Sequence, residues 1–72
     1  MPATFTHREG VVFFGDQPVG CAQANALIAE IRDFANAAFF ARDYAAHESH
    51  VATHQNLLAA CVAANRWAEA SA

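Results

Sequence analysis

Four imidazoles, three of them close together in sequence, two thiols and a few scattered carboxylates are the side chains of this sequence that could do chemistry. His47, His50 and His54 fall within a narrow arc if their segment is helical. His50 and His54, four residues apart, then have the spacing at which two imidazoles chelate a transition metal. Two imidazoles do not fill a site. The remaining ligands must come from His47, Glu48, His7, another subunit, or Cys61, which lies about 10.5 Å further along the same helix. The plainer expectation is that the three histidines line a turn between helices, neutral, hydrogen-bonded or stacked on Phe39 and Tyr44. Either way, three imidazoles so close together repel once protonated, which loosens their packing below about pH 6.

Cys21 becomes a candidate nucleophile only if a helix begins at Gly20, because N–H groups of a first turn favour a thiolate. With Asn25 as the cap it lies on a strand, and it reads as a structural thiol. Glu30 and Asp33 neighbour each other on a helix, with Asp43 and Glu48 further on. Arg32 beside them fits a solvated face better than an acid-base pair, which needs a cleft that excludes water. We therefore expect no catalytic residues and no resident cofactor, a transition metal on His47, His50 and His54 being the alternative.

The elements that must position these groups divide into two parts. Cys21 to Ala72 contains no glycine or proline, so nothing in it forces the backbone out of a helix. Leu27, Ile31, Phe34, Ala38, Ala41 and Ala45 recur at spacings of four and three, with Ile28, Ala35 and Phe39 widening the stripe, as in an amphipathic helix capped at Asn25 or Gly20. A second stripe, Val51, Leu58 and Val62 flanked by Leu57 and Cys61, runs in a different phase. The phase break places a turn near residues 45–49, with Ser49 as cap, and predicts an αα-hairpin. A single long helix with a stutter is the alternative. A turn near His47 sets Cys21 and Cys61 at different levels, too far apart for the about 5.5 Å Cα separation of a disulfide.

Ahead of the helices, Thr4 to His7 alternates in polarity, Arg8-Glu9-Gly10 can turn, and Val11 to Phe14 is a β-branched and aromatic run closed by Gly15-Asp16-Gln17-Pro18. Residues 1–20 read as a short β-ribbon, with Val19 to Ala22 as a possible third strand. Val12/Phe14 and Val11/Phe13 lie on opposite faces and both want cover. The predicted fold class is α+β, mainly α: one domain over residues 1–72, ribbon then αα-hairpin, packing into a helical bundle on self-association.

Function classes narrow by exclusion. Four arginines, no lysine and seven acids give a net charge of −3, with no clustered basic face for nucleic acid. No run of about eighteen residues is free of charge, so no segment is expected to span a membrane. With two cysteines and no charged, apolar leader, the chain reads as cytoplasmic and reduced. Nineteen alanines without a lysine is a bias common in compact reading frames of GC-rich bacteria and phages. A chain this short hides little surface and needs a staple, a metal or a partner. Phe40 and Tyr44 sit on the polar side of the first helix, Trp67 falls opposite the second stripe, and Val11 and Phe13 form the ribbon's outer face. Aromatics displayed this way dominate protein interfaces. The expectation is a small non-enzymatic module that binds itself and another protein, as a regulator or inhibitor, through Phe40, Tyr44, Trp67, Val11 and Phe13.

Overall fold

The computed structural model describes residues 4–71; residues 1–3 and 72, the outermost positions of the expected ribbon and helical regions, lie outside the described residues. Three strands, β1 (Phe5–Arg8), β2 (Val11–Phe14) and β3 (Gln17–Val19), precede two helices, α1 (Cys21–Phe40) and α2 (Tyr44–Ser71). The fold is α+β and mainly α, as the sequence predicts, and the hairpin reading holds over the single long helix.

The strands form one antiparallel sheet in the order β1-β2-β3. Both connections are two-residue turns, Arg8 pairing with Val11 and Phe14 with Gln17. Glu9 and Gly10 both have positive φ, 53° and 81°, the backbone that matches the twist of a two-residue hairpin. Gly15, at φ 61°, leads the second turn. Gln17 and Pro18, expected in that turn, instead belong to β3. Pro18 is tolerated because β3 is an edge strand and its missing N–H faces away from the ladder.

Each strand contributes one residue to the core: Phe5, Val12 and Val19 are buried against Ala24 of α1 and Leu57, Ala60 and Ala64 of α2. Leu57 is the largest fully buried side chain. Alanines at the other helix positions allow strands and helices to approach closely around it. This turns α2 away from its expected orientation. Leu58 and Val62, read as core from their spacing, are exposed, while Leu57, Ala60 and Ala64 face inward. The reason is that α2 is covered on two sides, by α1 and by the ribbon, and the buried arc lies between those contacts.

α1 begins at Cys21, with Gly20 in an extended conformation as its cap and no side-chain capping bond. Asn25 is therefore inside the helix, and Cys21 and Ala22, the end of the expected third strand, open it. Starting there buries Ala24 beneath the sheet. The joint between the helices falls at residues 41–43, earlier than the expected 45–49. Its hydrogen bonds explain why. Asp43 N–H donates to Ala38 O at 2.9 Å and Arg42 N–H to Phe39 O at 3.0 Å, the paired bonds of a Schellman ending. Arg42 takes the left-handed position, φ 62°. Asp43 then caps α2, its Oδ1 accepting from Ala46 N–H at 3.2 Å and its carbonyl from His47 N–H at 3.0 Å. Ser49, the expected cap, lies within α2, where its carbonyl accepts from Thr53 Oγ1 at 3.0 Å.

Candidate interaction surface

Phe39, in the last turn of α1, organises the free end of the hairpin. Its ring meets Phe40 edge-on (centroids 6.0 Å, interplanar angle 78°), Tyr44 edge-on (5.9 Å, 67°), and His47 at a tilt (5.3 Å, 56°). These are favourable arrangements for aromatic quadrupoles. The tight joint brings them about, because only three residues separate the two helices. Phe40 is nevertheless 82% exposed and Tyr44 55%. The ribbon packs against α2 further along and leaves Phe40 uncovered.

Two of the three histidines make contacts across the helix pair, and the third lines a cavity. His47 Nδ1 lies 2.8 Å from Ala35 O across the helix pair, a contact that requires the proton on Nδ1. His50 stacks on Phe34, centroids 5.9 Å apart at 29°, and His54 lines a small cavity between the helices with Arg32, Ala35, His47 and Val51. Among the described residues, no group of three or more His, Cys, Asp or Glu side chains is placed to hold a metal ion. Asp43 is used as a cap, and Asp33 meets Arg32 at 3.7 Å on an exposed face.

The other expected interface residues are not gathered at this end. Trp67 follows Tyr44 by twenty-three helical residues, about 35 Å along α2. Its ring lies against the β1–β2 turn, where a Cβ added to Gly10 would stand 2.9 Å from Trp67 Cε3. Trp67 therefore belongs in part to the ribbon's packing and remains 44% exposed. Val11 is exposed on the outer face of the sheet, and Phe13 beside it is half-buried. The Arg8 guanidinium covers the Phe13 ring at 4.8 Å from its centroid, a cation–π contact that shields much of its face.

Leu58 and Val62 are exposed apolar residues absent from the expected surface. With Gln55, Ala59, Ala63 and Arg66 they line a shallow groove along the outer side of α2. The stripe that marked them, with Val51, as a helical face was visible in the sequence; which direction that face pointed was not.

The two cysteines also sit differently from expectation. Cys21 and Cys61, read as distant, line one cavity of about 260 Å³ with Val12, Val19, Ala24 and Ala64, and both are free thiols. Burial pushes the Cys61 thiol up from its ordinary value, and the neighbouring Cys21 sulfur pushes it the same way. No helix among the described residues is long and apolar enough to cross a membrane. Comparison with known protein families, curated proteins and solved structures gave no match.

Proposed function

We propose that this protein is a non-enzymatic interaction module of the cytoplasm, which self-associates into a helical bundle and acts on a larger protein as a small regulator or inhibitor. The observation that carries this reading is an imbalance in where the large apolar side chains sit. Among the described residues four are buried, Phe5, Val12, Val19 and Leu57, while nine are exposed: Val11, Phe14, Phe34, Phe39, Phe40, Tyr44, Leu58, Val62 and Trp67. Single exposed apolar residues are ordinary, whereas linked groups of them mark contact sites. Phe39 meets both Phe40 and Tyr44, and Leu58 and Val62 share a groove. The alanines in that groove permit the close approach that helices of a bundle require.

Size-exclusion chromatography with light scattering on wild type and Phe40→Asp tests the proposal. Wild type runs as two or more copies. Phe40→Asp keeps its helical circular dichroism, since the side chain is exposed, and self-associates at least about 30-fold more weakly, the loss expected of an aromatic hot spot. A wild-type protein that stays a single copy at high concentration, or a variant that assembles as wild type does, overturns the assignment of this surface.

A further inference from the structure

Cys21 and Cys61 lie at the same level of the helix pair. Across the interface, His47 reaches Ala35. Fourteen residues before Ala35 is Cys21, and fourteen residues after His47 is Cys61, so the antiparallel register that joins Ala35 to His47 also brings the two cysteines opposite each other. Fourteen residues is close to four helical turns, which keeps each cysteine near the face that carries the contact. Their common cavity agrees with this placement. Its walls are small on both helices, Ala24 and Ala64 being buried beside the two sulfurs, so the backbones can draw together with little side chain to displace. The two thiols differ in access: Cys21 is exposed and Cys61 is half-buried.

We propose that Cys21 and Cys61 form a two-thiol oxidation site, in which a low-molecular-weight disulfide is attacked by Cys21 and the resulting mixed disulfide is resolved by Cys61 to give a reversible Cys21–Cys61 bridge. In the first step the Cys21 thiolate forms a bond to one sulfur of the reagent, whose S–S bond breaks and releases one thiolate. In the second step the Cys61 thiolate attacks the Cys21 sulfur and expels the other. Two protein thiols are oxidised, one small disulfide is reduced to two thiols, and the protons pass to those products. The order follows from access and from the thiols themselves. Cys61 is held more strongly in its protonated form, and the thiolate is the attacking species. Its task falls after Cys21 has been capped, when the Cys21 charge no longer adds to the burial that opposes its ionisation. The bridge ties the first turn of α1 to the middle of α2 and supplies the cross-link that so short a chain otherwise lacks. In a reducing compartment it is transient.

Reduced protein treated with oxidised glutathione tests the proposal. Wild type loses both free thiols without retaining glutathione and without linking two chains. Trypsin then releases residues 9–32 joined to residues 43–66, the peptides that carry the two cysteines between arginine cleavage sites. The bridged form melts about 10 °C or more above the reduced form, and dithiothreitol reverses the shift. Cys61→Ser stops at a mixed disulfide on Cys21, and Cys21→Ser reacts at least about tenfold more slowly. Stable glutathione adducts on both cysteines of wild type, chain-to-chain linkage, or a bridge that forms only in urea or lowers the melting temperature would each overturn the site.

Discussion

The two ends of the hairpin solve opposite problems. At the ribbon end, three strands and two helices converge on a core that includes Leu57, Trp67 lies against the β1–β2 turn, and of the buried residues described all but Ala35 cluster there. At the joint, the helices carry rings that touch each other and leave Phe40 in solvent. A chain with one small core can concentrate its stability at one end and free the other for recognition. The consequence is that substitutions at the two ends should separate folding from binding.

Leu57→Ala tests the first half most severely. It removes the largest fully buried side chain from the point where α1, α2 and the ribbon meet, and such truncations cost about 2–5 kcal/mol depending on how far the site collapses. Denaturant unfolding followed by circular dichroism should show a loss in that range or outright unfolding. A loss below about 1 kcal/mol would mean that stability is not concentrated there.

Asn56→Ala is the next largest. The Asn56 side chain accepts from Phe5 N–H at 2.7 Å through Oδ1 and donates from Nδ2 to Phe5 O at 3.2 Å. It thereby pairs the free edge of β1 as a further strand would. Its removal leaves two partly buried backbone groups without that partner and should cost about 1–3 kcal/mol. Hydrogen exchange at the Phe5 amide should accelerate well before exchange in the middle of α2, whereas uniform acceleration would indicate that the clamp serves the whole fold rather than the edge strand.

How much of this was legible in the sequence depends on what signalled each feature. Gly10 and Gly15 placed the turns of the ribbon, although Pro18 lies in β3 rather than in the second turn, and the absence of glycine and proline placed the helices. The joint was misplaced because its surroundings are alanines (Ala37, Ala38, Ala41, Ala45, Ala46), which fit a core or a surface equally and carry little phase information. The actual stop is polar, an arginine in the left-handed position followed by an aspartate that serves both helices. A displacement of a few residues there moves every facing pair by twice as many, which is why the cysteines looked distant although they share a cavity. Phe40 was legible as an aromatic on the otherwise polar side of α1, whereas Tyr44, expected one turn further along the same helix, opens α2 beyond the joint. Asn56 was not. Its partners are backbone atoms fifty-one residues away in sequence, and nothing in its type distinguishes it from a solvated asparagine.

The smallest effects belong to the joint, and they should have opposite signs. Asp43→Ala removes the side-chain acceptor for Ala46 N–H at the start of α2 and should cost about 1 kcal/mol. Arg42→Gly should stabilise by up to about 1 kcal/mol, because φ 62° is strained for arginine and free for glycine. That gain is reduced by the greater entropy glycine brings to the unfolded chain. For a domain of this size each corresponds to a few degrees in melting temperature. Neither residue takes part in the ring contacts, so both variants should retain the aromatic cluster, and Arg42→Gly should assemble at least as well as wild type. If Asp43→Ala instead abolishes assembly while losing only this much stability, the rings are positioned by the cap rather than by their own contacts. The recognition end would then depend on a single carboxylate for its order, in contrast to the many shared contacts that fix Leu57.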